Sequence, residues 1–525
     1  MEYSRIETDV LVIGGGLAGL CAALRARELG AGVIVAAKGK AGRSGNSIMA
    51  RNSVAAVLEQ DAAAINAHIG DTMDGGAYHN DRELAAILAR DAREAILWLA
   101  KRGVPFQRDG ASMEVQGSPG HSRERILKVD WSALGQSRTI GMAMTLPLLE
   151  QAALSGVRMM DNLLITGLAV DRGRVIGVYG FHRARPWITI IGCRAVVLAS
   201  GGAGRLYPVS TNTGDVTGDG YALAHLAGAK LRDLEFIQFH PLMTLDAPRL
   251  VLSTTPFTEG AVLRNRDGED FMPRYSPQGC LATRDVMALA ILAEIEAGRG
   301  TGRGGVFMDF GGVPSAVIKQ RYPDFLNYLK ENMRMEVAPA AHFTMGGVAI
   351  DGECRSTVPG LFACGEAAGG VHGANRLAGN ALTEAAVFGL RAGASAAGEL
   401  KTAVVSGPGG LDEALVNGIL KEALAGFCPS DGGGNDGGTA KIEGIVRELR
   451  ALMGRHVGMV RSRAGLRQAR EQLTELNQRL DAVTIGDYRD LSLYHQARLM
   501  LITAGLITEA ALARKESLGA HYIVD

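Results

Sequence analysis

Short apolar runs alternating with Gly-bounded helical stretches open the chain. Val10-Leu11-Val12-Ile13 reads as a buried strand, Leu17 to Leu29 as an Ala-rich helix stopped by Gly30, and Val33-Ile34-Val35 as a second strand. Together they form a βαβ unit. Glu83 to Arg102 places Leu84, Leu88, Ala92, Ile96 and Leu99 on one helical face, with Gly103 after it. Strand-like runs alternate with turns from Val170 and end in Ala195-Val196-Val197-Leu198. From about 236 to 342 the pattern changes to mixed helix and strand, richer in Pro, and it holds most of the polar candidates. Strand–Gly–helix language returns at Gly360-Leu361-Phe362-Ala363-Cys364-Gly365. Two Gly-rich stretches, 406–410 and 431–438, read as loops or linkers. The charged, helix-periodic remainder to about Glu516 reads as a small helical bundle, and no internal repeat is found. The pattern predicts an α/β architecture. A nucleotide-binding domain covers 1–235 and 343–404, and an α+β capping domain is inserted at 236–342. A Gly-rich linker region at 405–440 and a helical domain at 441–525 follow.

Composition changes this picture mainly by exclusion. Apolar residues make up 47% of 525 residues, enough for two or three domains with a sizeable core. Lys+Arg and Asp+Glu balance at 55 each, and no basic run interleaves with aromatics, which argues against nucleic-acid or anionic-membrane partners. Six cysteines lie far apart with no C-x-x-C. That argues against a zinc site, an iron–sulfur cluster in this chain or a secreted disulfide framework, and for buried reduced thiols. The N-terminus lacks a charged-then-apolar leader. The Gly-broken apolar stretches fall short of the roughly 20 residues a spanning helix needs. The expectation is a cytoplasmic protein without direct membrane insertion.

Glycine, at 70 residues, is very frequent, and part of it marks a phosphate site. Gly14-Gly15-Gly16-Leu17-Ala18-Gly19 follows a strand and opens a helix. Gly14 allows the tight turn, Gly16 lets the backbone approach a pyrophosphate, and Gly19 lets helix and strand pack closely. The helix N-terminus adds free N–H groups. The acidic residue expected about 20 positions on, to hold a ribose, is replaced by Ala37-Lys38. Further clusters at Gly201-Gly202-Ala203-Gly204, Gly218-Asp219-Gly220 and Gly365-Glu366 fit a long ligand such as FAD better than a nicotinamide cofactor.

Several longer segments carry a family resemblance. They are Ala199 to Tyr207, Thr217-Gly218-Asp219-Gly220, Glu235-Phe236-Ile237-Gln238-Phe239-His240-Pro241 and Thr283-Arg284-Asp285. His342-Phe343-Thr344-Met345-Gly346-Gly347, His372-Gly373-Ala374-Asn375-Arg376-Leu377 and the tail Ala513 to His521 complete the set. In order and spacing the chain resembles the flavoprotein subunits of fumarate reductase and succinate dehydrogenase, a superfamily that includes L-aspartate oxidase. The resemblance implies a Rossmann-type FAD-binding domain built from both chain ends, a cap over the isoalloxazine and a C-terminal helical domain. FAD contacts are then expected at Gly14, Gly16, Leu17, Ala18, Gly19, Lys38, Ser44, Asn46, Ser47, Ala199, Ser200, Gly201, Asp219 and Gly365. Glu366 would hold the ribose, and Arg376, Asn380, Ala381 and Leu382 complete the list. The helix beginning near Asn380 would aim its positive end at the flavin's pyrimidine edge.

Reducing a C=C bond beside a carboxylate needs a cationic clamp, a hydride at one carbon and a proton at the next. By the same resemblance His240, His342 and Arg376 form the clamp, and Arg284 is the proton donor or acceptor. Guanidinium grips carboxylate bidentately and His adds directional donors. Lacking cluster cysteines, the chain would exchange electrons with an iron–sulfur or thiol–disulfide subunit, or a small carrier.

The chain also departs from the family. Asn46 stands where many members carry the His that bonds FAD covalently, so non-covalent FAD is expected, and Asn52-Ser53 replaces a Gly-Gly. In the cap, either Ser253-Thr254 or Thr258-Glu259 takes the family's Thr-Glu position, and the first register puts Phe257 in place of the relay Arg. Phe257 would suit a less polar or larger acid. It would leave Arg284 to Asp285, water or the substrate for its proton. Near the clamp, Ala378 and Ala381 replace a Gly and a Ser. L-aspartate oxidase is the second reading: Gly120-His121-Ser122 with Arg125-Ile126-Leu127 is similar to that group, while Gln136-Ser137-Arg138-Thr139 lacks its Asp-Ala-Thr-Gly. A third is a flavin electron-transfer protein without substrate chemistry of its own.

Overall fold

The computed structural model describes residues 2–525 except 51–52, 60, 119, 131, 133–140, 247–248, 283, 323–324, 327–328, 330–331, 403–410 and 429–436. Asn52, Thr283, the segment 136–139 and most of both Gly-rich stretches lie outside the described residues.

Five parallel strands form the central sheet, in the order Leu361–Ala363, Ala195–Leu198, Val10–Ile13, Val33–Ala36 and Arg158–Met160. The strands at residues 10, 33, 195 and 361 are apolar and buried throughout, as strands covered on both faces must be. Two helices, Leu17–Glu28 and Asn380–Thr402, lie against each other on one face. Their small residues allow the backbones to touch. A Cβ on Gly389 would sit 2.6 Å from the Ala18 carbonyl oxygen, and one on Gly393 would sit 2.2 Å from that of Ala22. The helices therefore run parallel, and both N-termini face the same edge of the sheet. A second, four-stranded sheet joins Glu2–Glu7, Trp187–Gly192, Arg174–His182 and Leu163–Asp171.

The cap has its own antiparallel sheet, in the order Ile237–Thr244, Arg334–Thr344, Val306–Asp309 and Val262–Arg264. Leu242, Leu263, Phe271, Met287, Ile291 and Met308 fill its core. The strand Arg334–Thr344 runs through the expected boundary at 342, so the connection is a continuous strand rather than a loop. Glu294, fully buried, is the polar hub of the cap. It accepts from Arg299 Nε and Nη2 (2.8 Å each), Tyr275 Oη (2.7 Å) and Asn265 Nδ2 (3.0 Å). These donors hold its carboxyl down at about 2. Its stabilising contribution is therefore present above the ordinary carboxylate range and is lost as pH falls toward about 2. Glu294→Gln is expected to lower the melting temperature at neutral pH and to flatten its acid dependence. Melting curves that match the parent from pH 7 down through the carboxylate range would sink that assignment.

Three helices, Gly438–His456, Arg463–Asp481 and Tyr488–Ala513, make the C-terminal bundle. Two expectations are corrected here. The region 405–440 contains the helix Glu413–Ala423, whose Val416, Ile419 and Ala423 pack on Phe181, Ile188 and Ile190. Its apolar period was masked by the glycines around it. The helix Tyr488–Ala513 is long and apolar enough to cross a membrane by length and composition, contrary to the expectation for the apolar stretches. Half of its apolar window is buried inside the protein, where Ala497, Met500, Ala504 and Ile507 join the bundle core. Cys21, Cys193, Cys354 and Cys364 are buried, Cys280 half-buried and Cys428 exposed, all as free thiols.

Candidate active site

A cavity of about 590 Å³ runs from the turn after Ile13, past the N-termini of the two parallel helices, to the cap strands. Every predicted cofactor and catalytic residue lines it except Gly19 and Asn380. Both exceptions are explained by packing. A Cβ on Gly19 would fall 1.9 Å from the Gly14 carbonyl oxygen, so this glycine serves the close approach of helix and turn. Asn380 is fully buried, shares a hydrogen bond with His68 Nε2 (3.0 Å) and donates to Thr72 Oγ1 (2.9 Å); its side chain braces the start of the long helix instead of facing the cavity.

The nucleotide end fits an extended phosphate-bearing ligand. Gly14 has φ +115°, and a Cβ there would lie 2.1 Å from the Ala199 carbonyl oxygen. Gly16 caps the first helix without a side-chain hydrogen bond; Leu17 N–H is met by Ser47 Oγ at 2.9 Å. Ser200 Oγ and Asn46 Oδ1 are buried without a hydrogen-bond partner, as atoms awaiting a ligand are. Lys38, in place of the expected acid, donates to Asp219 Oδ2 at 2.8 Å and Thr217 Oγ1 at 2.5 Å. Glu366 accepts from Asn46 Nδ2 (3.0 Å) and Thr344 N–H (3.1 Å), and burial pushes its carboxyl up to about 7.

The cap end is cationic. His240 and His342, on adjacent strands, have ring centres 5.4 Å apart. His240 Nδ1 accepts from Leu242 N–H at 3.2 Å, which leaves its proton on Nε2. Arg376 donates to Gln238 Oε1 at 2.7 Å and lies 4.8 Å over the Phe343 ring, with Nε buried and unpartnered. Burial, with Arg284 nearby, pushes Arg376 down to about 10, still charged near neutrality. Arg284 opens the helix Arg284–Glu294 and stays open to solvent along the cavity, yet the protein around it displaces enough water to lower it as well. Burial and both guanidiniums push His342 down to about 3 and keep it uncharged. Among the described residues no carboxylate forms an ion pair with Arg284 or Arg376. The two guanidiniums repel each other, and Glu366 and Glu384 offset part of that at Arg376 without pairing with it, so the space between the arginines favours an anion.

Of the two candidate pairs in the cap loop, Ser253 lines the cavity, with Thr255 beside it, whereas Thr254, Thr258 and Glu259 do not. Phe257 is buried in the cap core, off the cavity, so it supplies no argument for a larger or less polar acid. Asp285 is exposed and off the cavity as well, which removes it as a partner for Arg284. His121 and Arg125 do not line the cavity: His121 Nε2 meets the Ala378 carbonyl (2.8 Å), and Arg125 donates to His121 Nδ1 (2.9 Å) and Asp71 (2.6 Å). They prop the loop after Arg376. Sequence reasoning missed Thr211, Asn212 and Gln238; the first two lie between recognised motifs and the third inside one, and that position was their only signal.

Residues 9–382 match the family described as FAD binding domain, and residues 446–525 that described as fumarate reductase flavoprotein C-term. One of the subunits of the fumarate reductase (CoM/CoB) of Methanothermobacter marburgensis is 38% identical, over 100% of this chain and 95% of that protein. L-aspartate oxidase of Caulobacter vibrioides is 35% identical, over 100% and 95%. A solved structure of an E. coli quinol fumarate reductase mutant superposes with a TM-score of 0.87 at 29% identity, covering 100% of this chain and 92% of that one.

Proposed function

Because the chain belongs to the fumarate reductase/succinate dehydrogenase flavoprotein family, and so is an FAD-dependent oxidoreductase, we propose that it interconverts a C4-dicarboxylate alkene and its saturated partner. The observation that carries this reading is the pair of guanidiniums, Arg284 and Arg376, neither ion-paired with a described carboxylate, beside His240 and His342 at one end of the cavity. When bound, FAD supplies hydride chemistry at N5. Gly14, Gly16, Ser200 and the two helix N-termini would hold its phosphates and ribityl chain, with Glu366 at a ribose hydroxyl. Arg376, His240 and His342 bind the carboxylates and draw charge from the adjacent double bond. Arg284 delivers a proton to the neighbouring carbon, or removes it in the reverse direction. Partial enclosure lowers its hold on that proton, and with Phe257 and Asp285 both off the cavity, solvent water or the substrate itself is left to return it.

FAD is held without a covalent bond in this reading. Asn46 spends both Nδ2 protons on Asn212 and Glu366, and an amide nitrogen is no nucleophile. Acid or heat denaturation is expected to release all flavin into the supernatant. Yellow, fluorescent polypeptide in the pellet would refute it.

The relative from Methanothermobacter is named as one subunit of a reductase. On that footing the electron partner of this chain is a separate iron–sulfur or thiol–disulfide protein. A second reading, L-aspartate oxidase, is favoured by relatives of that name aligned over the whole chain. Anaerobic reduction followed by reoxidation with fumarate, other enoic acids, iminoaspartate or oxygen separates the two. Fast reoxidation by fumarate alone is expected. Reduction by L-aspartate with rapid oxygen reoxidation would replace the first reading by the second.

A further inference from the structure

We propose that Thr211 is a positioning residue whose hydroxyl fixes His342 as an imidazole protonated on Nε2, so that the clamp meets a substrate carboxylate with donors only. This rests on the dicarboxylate reading above for its consequence, but not for its geometry.

The assignment follows from counting hydrogens and lone pairs. Asn212 Nδ2 lies 2.9 Å from the His342 carbonyl oxygen. A carbonyl only accepts, so the orientation of that amide is settled. Asn212 Oδ1 is then the acceptor for Asn46 Nδ2 at 3.0 Å. A Cβ on Gly204 would lie 2.3 Å from this same oxygen, so the glycine makes room for the arrangement. The second Nδ2 proton of Asn212 points to Thr211 Oγ1 at 3.2 Å.

Thr211 must place its own proton elsewhere, and two acceptors are in range. The Ala341 carbonyl is 3.4 Å away, but it already takes the Thr211 N–H at 3.0 Å and the Ser210 hydroxyl at 3.1 Å. Those two bonds use both lone pairs. His342 Nδ1, at 2.8 Å, is the acceptor left. A ring nitrogen that accepts carries no proton, so the proton of the uncharged imidazole sits on Nε2. The opposite tautomer would strand the Thr211 proton and turn a lone pair toward an anionic substrate. An imidazolium would add a third positive charge beside Arg284 and Arg376, which the burial of this ring opposes.

Thr211→Val keeps the shape and removes the donor. Losing one oriented donor to a charged group is expected to raise the KM for fumarate about 10- to 100-fold, with FAD content unchanged and kcat changed less than KM. Thr211→Ser restores both. The decisive readout is the ¹H–¹⁵N coupling pattern of ¹⁵N-histidine-labelled holoenzyme without substrate, His342 being assigned by its loss in His342→Gln. The parent and Thr211→Ser should show Nε2–H, and Thr211→Val a mixture or the other tautomer. A parent ring protonated on Nδ1 or on both nitrogens would overturn the proposal. So would a Thr211→Val protein with an unchanged pattern and unchanged KM. If Thr211→Val does not fold, the parent and Thr211→Ser spectra still decide. Because the spectrum needs no substrate, an Nε2–H ring in a protein that does not turn over fumarate would remove only the functional reading.

Discussion

Replacing Arg284 by alanine lowers fumarate reduction by roughly 10²- to 10⁴-fold, the range general acid catalysis supplies, while FAD stays bound. Arg284 lines the cavity, no described carboxylate pairs with it, and partial enclosure lowers its pKa. A guanidinium ordinarily keeps its proton too firmly to act as an acid; the lowering by enclosure is in the direction the proposed transfer needs. Flavin content and the melting temperature should stay close to the parent, because Arg284 opens its helix at the cavity surface without a paired carboxylate to strand. Stopped-flow reoxidation of the reduced protein by fumarate is the measurement. Full activity of the variant within its electron-transfer assembly would leave the chain as a flavin relay without substrate chemistry.

Arg376→Met is expected to lower kcat/KM for the dicarboxylate by roughly 10²- to 10⁴-fold. Two charge-assisted hydrogen bonds are lost, each about 1.5–3 kcal/mol. Met keeps an unbranched apolar chain in place of the stem, while the stacking of the guanidinium over Phe343 is lost together with its charge. The variant has a second signature. Arg376 is one of the causes that hold His342 down at about 3. Without it the imidazole takes up a proton more readily, though burial, the largest cause, still opposes this. Part of the lost affinity should therefore return as pH falls, where the parent shows no such gain. Dicarboxylate titrations followed by flavin absorbance at several pH values test both points. A parent-like affinity would remove Arg376 from the clamp.

The contrast between what was legible and what was not follows the range of the interactions. The turn at Gly14 to Gly19, the helix it opens and the strands beside it were readable, because each depends on neighbours within a few residues. The glycines are required by contacts a Cβ would violate, as at Gly14 against Ala199 and Gly19 against Gly14 itself. The candidate catalytic residues were readable for another reason: His240, Arg284, His342 and Arg376 stand in motifs whose order could be compared with a family. The helix Glu413–Ala423 was not readable, since the glycines on either side diluted its period and its packing partners lie in strands more than 200 residues earlier.

The sequence by itself determined a two-part nucleotide-binding domain, a flavin and four candidate residues, because local sterics and motif order carry that information. The tertiary structure alone decided which face of the 253–259 loop meets the cavity. It turned Ser253 and Thr255 inward and buried Phe257 in the cap core, and that was a competition between packing surfaces that no spacing along the chain records. It also decided the proton on His342, because the donor that fixes it belongs to Thr211, 131 residues away, and the alternative acceptor was already filled by the backbone and Ser210.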